Sequence, residues 1–372
     1  MENSPIIYLD NAATTKPHPE VLAVMNELQQ SNYFNSAALY QGAIDIKKQV
    51  ARATKVVHSK LTRSMSGSLI FTSGATESNN MTIFGKITRP KQHVLVLAGE
   101  HSSVYAPAVY LKNSGYDVEF VPLLKSGAVD LQALSRLIRP TTDLLVFGMV
   151  NSDTGYLQDV EAIVQTIRNG ENPQNPHQKI HIHCDAVQGF CKFDFDVQKL
   201  GLDSVAISAH KIQGPKGIGA LWLRDGANIR PIMYGGAQQD YRPGTEDTIS
   251  IIGFAQAVTS YTGTDHVKKL HKKLVNGLPP SCKVNGANNN PYITNIMLPV
   301  LGQTAMNHLS SKGIYVGLGS ACSSTAAKNR TLLAMGIPEK QTKSVIRVSL
   351  SSNNTESDID TFISELNAFL NT

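Results

Sequence analysis

The chain has 372 residues, 41% hydrophobic and 17% charged, which fits a globular protein too large for one small core and excludes a disordered one. The 34 basic and 29 acidic residues leave a net charge of +5 with no long basic run, so the charge fits an acidic small ligand as well as nucleic acid. The start, "MENSPIIYLD", lacks the apolar core of a secretory signal, no apolar run nears a membrane span, and the four cysteines form no CxxC pair; a soluble cytoplasmic protein is expected.

In chain order, "IIYLD" reads as a short strand entering the loop "NAATTKPH". "PEVLAVMNELQQ" has a helical pattern, with Val21, Leu22, Val24, Met25 and Leu28 expected on one face. "GAIDIKKQVARATKVV" is a second helix. Strands at "SLIFT", "HVLVLA", "DVEFVPL", "DLLVFGMV", "KIHIHCDA" and "SVAISAHK" then alternate with helical segments. Short, fully apolar strands in this alternation predict an α/β fold, a mostly parallel sheet between helices, with ligands at the strands' carboxyl ends. After about residue 255 the rhythm changes. "DHVKKLHKKLV" is amphipathic, "YITNIMLPV" and "IRVSL" are strand-like, and "TESDIDTFISELNAFL" is a closing helix with a Thr-x-x-Asp cap. We expect a large cofactor-binding domain over residues 13–255 and a smaller α/β domain from 1–12 and 256–372. "ENPQNPHQ" reads as a surface loop.

Three segments can carry chemistry. In "FTSGATESNN" a strand enters Ser73-Gly74-Ala75-Thr76 and then a helix, whose first N–H groups form an anion site; an ordinary N-cap is the plain alternative. In "HIHCDAVQG", Asp185 ends a strand, either as a cap or as the carboxylate that holds a protonated ring nitrogen. His181, His183 and Cys184 are close in sequence, but the histidines share one strand face, Cys184 faces away, and no second ligand cluster follows; no metal site is assigned. Lys211 follows Asp185 by 26 positions, about one strand–helix–strand unit, which places both at the same end of neighbouring strands. Ser208 and His210 flank the lysine. Amine, carboxylate and phosphate cup are the set that pyridoxal 5'-phosphate requires. In "VGLGSACSST", Cys322 is either a buried structural thiol or a nucleophile on a small-residue loop.

The segments "YLDNAATT", "FTSGATESNN", "GEHSSV", "HCDAVQG", "SAHKIQGPKGIGAL", "GGAQQDYRPGTED", "GSACSS" and "IRVSL", in this order, resemble cysteine desulfurases of the nitrogen-fixation and iron–sulfur-assembly type, within the fold-type-I class V aminotransferases. The resemblance implies Lys211 as the cofactor lysine, His101 as the histidine that stacks on the ring, and Asp185 as partner of the pyridine nitrogen. It implies Gln188 and Asn151 near the ring hydroxyl, with Ala75, Thr76, Ser208 and His210 around the phosphate. Thr245 is similar to a threonine that reaches the phosphate of the other subunit, which implies a homodimer. Arg347, Asn35 and Asn151 are the implied substrate contacts, and Cys322 the persulfide carrier. Asn151, Ser152 and Asp153 stand where the family has paired asparagines and a glutamate. The implied activity converts L-cysteine to L-alanine and passes sulfur to a scaffold or thiol carrier for iron–sulfur assembly or thiolation. A selenocysteine lyase, an aminotransferase or lyase that does not use Cys322, and a non-catalytic partner-binding relative are the competing readings.

Overall fold

A computed structural model describes residues 6–171, 179–235, 241–287, 289–319 and 329–371; the loop expected at "ENPQNPHQ" falls almost wholly outside them. The strands are β1 Ile7–Tyr8, β2 Ser68–Thr72, β3 His93–Leu97, β4 Asp117–Val121, β5 Thr142–Gly148, β6 His181–Asp185, β7 Ser204–Ser208, β8 Gly219–Leu223, β9 Lys283–Val284, β10 Ile293–Met297, β11 Ile314–Tyr315 and β12 Val345–Ser349. The helices are α1 Pro19–Ser31, α2 Gln41–Leu61, α3 Ala75–Lys86, α4 Ser102–Asn113, α5 Leu131–Leu137, α6 Val160–Gly170, α7 Thr248–Ser260, α8 Thr264–Gly277, α9 Gly302–Ser311, α10 Arg330–Ala334, α11 Glu339–Thr342 and α12 Glu356–Leu370.

Seven strands form the main sheet in the order β2-β8-β7-β6-β5-β3-β4. β3, β4, β5, β6 and β7 run parallel, and their side chains are buried on both faces at β3, β6 and β7, as helices on both sides require. β8 is antiparallel to both neighbours. Only residues 209–218 separate it from β7, too few for a crossover helix, so the chain turns back on itself. The expected helix between Asp185 and Lys211 is also absent: residues 186–203 form turns, yet β6 and β7 still pair in parallel.

The later segments build a three-stranded antiparallel sheet, β12-β10-β9. β1 pairs in parallel with β11, which brings the N-terminal strand to this part of the chain. α12 starts with the expected box: the Thr355 side chain accepts from the Asp358 N–H and the Asp358 side chain accepts from the Thr355 N–H. In α1, Val21 and Leu28 are buried but Leu22 is exposed, one 100° step off the inward face. Trp222, Phe147, Phe190 and Phe254 are fully buried in one apolar cluster that also contains Leu9, Val316 and Ile346, so the small sheets share a core with the large one. Among the described residues, no helix is long and apolar enough to cross a membrane.

β6 carries His181 and His183 into this interior, where burial pushes both imidazoles from the usual 6.5 down to about 3. Below pH 6.5 the unfolded chain binds protons that the folded chain refuses. Stability is therefore complete above that value and falls as pH drops toward 3, by up to about 1.4 kcal/mol per pH unit for each histidine. Urea unfolding between pH 7 and 4 is expected to show this slope. His181→Gln, which can still donate to its serine neighbour, is expected to reduce the slope by about one proton; an unchanged slope excludes a buried neutral imidazole at that position.

Candidate active site

The strands' carboxyl ends open into a cavity of about 730 Å³, within the range of small-molecule and cofactor sites. Asp185 closes β6 and faces this cavity. Its Oδ1 accepts from the Val187 N–H at 3.0 Å and its Oδ2 accepts from Asn79 Nδ2 at 2.8 Å. No helix follows Asp185, so the alternative role as a helix cap lapses.

Lys211 lies in the tight turn after β7, on the same edge. Its Nζ donates to the carbonyls of Ala12 and Ala13 at 2.6 and 2.7 Å. Burial, then the nearby Arg347 guanidinium, lowers its pKa from 10.5 to about 8. A lysine so placed is a ready source of neutral amine. Gln188 donates from Nε2 to Ala12 O at 2.9 Å and accepts at Oε1 from Lys192 Nζ at 2.8 Å. Lys192 is itself buried, and desolvation lowers it to about 7.

The opposite wall is the start of α3. Gly74 has φ +154, and a Cβ added there would meet nothing within 4 Å: the backbone faces open cavity. Ala75 and Thr76 follow in the first turn, where helix N–H groups lack intrahelical acceptors. Glu77, which would repel an anion here, accepts from Ser73 N and Arg242 Nε, and the arginine balances its charge. Ser208 and His210 line the same end, with His210 Nδ1 3.1 Å from Thr14 Oγ1 and its pKa lowered to about 4 by burial. A phosphate fits this cradle, a protonated ring nitrogen fits Asp185, and an aldehyde fits Lys211; the donor set is that of pyridoxal phosphate.

His101 lies on the cavity wall at the N-cap of α4, its ring partly desolvated and its Nδ1 accepting from the Ser103 N–H. The residue before it, Glu100, is buried, and desolvation raises it to about 8, so it is protonated at neutral pH. Arg347 donates from Nη2 to Asp10 at 2.7 Å and from Nη1 to Ser152 O at 3.0 Å, while its buried Nε has no described partner. Asn151 lines the cavity, but its Oδ1 accepts from the N–H groups of Asp153 and Thr154 and its Nδ2 donates to Gly99 O. The turn of residues 151–154 thus already engages its amide.

Asn35 and Thr245 do not line this cavity; both are exposed. They share a rim, because Ser36 Oγ donates to Glu246 Oε2 at 2.7 Å. Cys322 lies outside the described residues. Glu100, Lys192, Asn79 and Ser103 are the residues that sequence reading did not single out. Asn79 had a signal, since it stands one helical turn past Ala75 on α3.

The aminotransferase class-V family model matches residues 7–362. Cysteine desulfurase IscS 1 of Archaeoglobus fulgidus is 31% identical, the match covering 96% of this chain and 95% of that protein. The mitochondrial cysteine desulfurase of Candida maltosa is 33% identical over 97% of this chain and 76% of its own. Among solved structures, a NifS-like protein superposes with a TM-score of 0.90 at 30% identity, covering 99% of this chain and 100% of that one. SspA in complex with cysteine superposes with a TM-score of 0.81 at 28% identity over 94% of this chain and 100% of the other. The chain belongs to the aminotransferase class-V family, among relatives named cysteine desulfurases.

Proposed function

We propose that this protein is a pyridoxal-phosphate-dependent cysteine desulfurase. The observation that carries the reading is the convergence of Lys211, Asp185 and the open first turn of α3 on one cavity, with Arg347 on its wall. Bound pyridoxal phosphate supplies an aldehyde for the substrate amine and a protonated ring that takes up electrons from Cα. Ala75, Thr76, Ser208 and His210 would hold the phosphate, Asp185 would hold the ring-nitrogen proton, Gln188 and Asn151 would serve the ring hydroxyl, and His101 would pack on the ring. Arg347 takes the substrate carboxylate, for which a guanidinium's paired donors are suited.

Lys211 would hold the cofactor aldehyde, and its neutral amine would be the base for the Cα proton. Cys322 supplies the sulfur nucleophile. Its thiolate attacks the substrate sulfur; the S–S bond forms, the C–S bond breaks, and the carbon that keeps the electron pair is protonated, so cysteine and thiol become alanine and persulfide. Burial raises the pKa of each of the three described cysteines: Cys184 well above 9, Cys191 to about 12, and Cys282 above its usual value. None of them offers a ready thiolate. Gly319, the last described residue before the Cys322 segment, lines the cavity.

The persulfide passes to a scaffold or thiol-carrier protein in the cytoplasm. The functional unit is a homodimer, in which the rim carrying Asn35 and Thr245 completes the partner's site. Tyr33, Leu39 and Tyr40 near that rim are 73, 91 and 55% exposed, apolar surface that a second copy would cover. The large domain of residues 13–255 carries the cofactor, and the smaller one, 1–12 with 256–372, carries Arg347 and Cys322.

The purified protein is expected to absorb as a pyridoxal enzyme and, given L-cysteine and a dithiol reductant that cleaves the persulfide, to release alanine and sulfide. Lys211→Ala is expected to reduce both products by two to four orders of magnitude, roughly the worth of a positioned base. Cys322→Ala is expected to abolish the persulfide detected by alkylation and mass spectrometry. Full sulfide release by that variant would favour a lyase that bypasses the thiol, and faster turnover of selenocysteine than cysteine would favour a selenocysteine lyase.

Lys211 also sets a pH dependence. Its amine must be neutral to join the aldehyde, and its pKa of about 8 lies below the usual lysine range. Reloading of the apoprotein with pyridoxal phosphate, followed by absorbance, is expected to accelerate as pH rises through about 8 and then level off. A rate still climbing steeply at pH 10 would place the lysine in an ordinary solvated setting.

Mixing the dimer's two defects tests the shared site. Thr245→Ala and Lys211→Ala proteins, refolded together, are expected to recover partial activity, because one site in each mixed dimer then has both residues. No recovery from a confirmed mixed dimer would leave each chain with a self-contained site.

A further inference from the structure

Behind the cavity a chain of side chains joins the two groups that would flank the cofactor ring. His181 Nε2 lies 2.7 Å from Ser204 Oγ, which lies 2.7 Å from His183 Nδ1. His183 Nε2 is 2.9 Å from Asn79 Oδ1. Asn79 Nδ2 is 2.8 Å from both Asp185 Oδ2 and Ser103 Oγ, and Ser103 Oγ is 2.8 Å from His101 Nδ1. His181, His183, Ser204, Asn79 and Ser103 are all buried.

The direction of every bond follows from one end. A carboxylate only accepts, so Asn79 presents its amide nitrogen to Asp185 and its oxygen to His183. That oxygen needs a donor, so the His183 proton is on Nε2. A neutral imidazole has one N–H; Nδ1 of His183 therefore accepts from the Ser204 hydroxyl. Ser204 has no second proton, so His181 donates to it from Nε2. On the other branch, the second amide proton of Asn79 goes to Ser103 Oγ, whose single proton goes to His101 Nδ1. The Ser103 N–H points at the same nitrogen from 3.2 Å.

We propose that Asn79 and Ser103 are positioning residues that tie the Asp185 carboxylate to the His101 ring and hold His101 with Nδ1 as acceptor and Nε2–H toward the cavity. No described residue accepts from that Nε2. The inference rests on the proposed function for its consequence: toward substrate, neutral His101 is a hydrogen-bond donor and not a base, because its lone pair is turned inward onto Ser103. Lys211 is then the base. Protonation of His101 at Nδ1 requires both Ser103 donors to turn away. Burial lowers the pKa of His101 in the same direction, with Asp185 and Asp153 raising it and Lys211 and Arg330 lowering it.

Nitrogen-15 NMR of histidine-labelled protein tests this, in both the apoprotein and the loaded enzyme. The resonances of residue 101 are identified by their loss in His101→Gln. The expected result is a bare Nδ1 and a protonated Nε2 at pH 8; a proton on Nδ1 overturns the proposal in the wild-type protein itself. Ser103→Ala is expected to raise the proton affinity of His101 about two- to tenfold, the worth of one hydrogen bond, and Ser103→Thr to restore it. A His101 titration identical in a folded Ser103→Ala protein and the wild type reduces Ser103 to a helix cap. Asn79→Leu, close in volume and without either donor or a charge, is expected in the folded protein to shift His101 the same way and to weaken pyridoxal-phosphate binding about tenfold or more by equilibrium dialysis; unchanged values refute its role as the link. The apoprotein readings need no turnover, so they stand or fall separately from the desulfurase assignment.

Discussion

Parallel pairing of β6 with β7 sets His183 opposite Ser204 and Asp185 opposite Ala206. Side chains alternate along a strand, so a slip of one residue would turn His181, His183 and Asp185 to the other face together. The same register delivers Lys211 to the sheet edge, because β7 ends at Ser208 and the turn begins at once. Carboxylate, amine and the polar chain behind them are thus one consequence of one ladder. The apolar residues between them, Ile182 and Ile207 among them, are fully buried and make any slipped register expensive.

The "NAATT" loop locks this edge to the rest of the chain. Asn11 Nδ2 donates to Ser349 O at 2.8 Å, and the Ala12 N–H donates to Ser349 Oγ at 2.8 Å, which fastens the loop to β12. Thr15 Oγ1 donates to His210 O at 2.8 Å and fastens it to the Lys211 turn. The Ala12 carbonyl then accepts from both Gln188 and Lys211. The strand that carries Arg347 and the turn that carries Lys211 are therefore held through a few residues near the N-terminus. Charge completes the picture. Burial lowers the pKa of Lys192, and nearby Lys211 lowers it further; burial and the Arg347 guanidinium lower that of Lys211, against the pull of Asp185 and Asp10. A cavity of this kind favours anions, such as a phosphate and an amino-acid carboxylate.

Much of this was legible in the sequence. The parallel strands carry short apolar runs buried on both faces, so their number and order of appearance can be read directly, and "SLIFT" is β2 to the residue. Asp185, Lys211 and Gly74 stand at strand ends or a helix start, where pattern and chemistry coincide. Antiparallel β8 was not legible, because periodicity reports burial and not direction. The turns of residues 186–203 were read as a helix because a parallel crossover usually contains one. Lys192 and Asn79 escaped notice for another reason: a lysine or asparagine is ordinarily solvated, and only the tertiary structure shows it buried beside Gln188 or between His183 and Asp185. The exposure of Asn35 and Thr245 on a common rim depends likewise on the Ser36–Glu246 contact, a pairing across 210 positions.

Access to the cavity also divides the reactive groups near the sheet edge. Carbon chemistry demands fixed positions, and the groups that serve it sit on strand ends, on a helix start and in a bonded loop. Thiol chemistry on a bound substrate demands a thiolate that meets it in the cavity. The thiols of the sheet core do not offer one: Cys184 is fully buried in β6, and Cys191 lies in the turns that follow, with desolvation holding each as neutral thiol. Neither lines the cavity that Asp185 and Lys211 share. The β6–β7 ladder thus gives amine and carboxylate an access to the cavity that it denies to the thiols beside them.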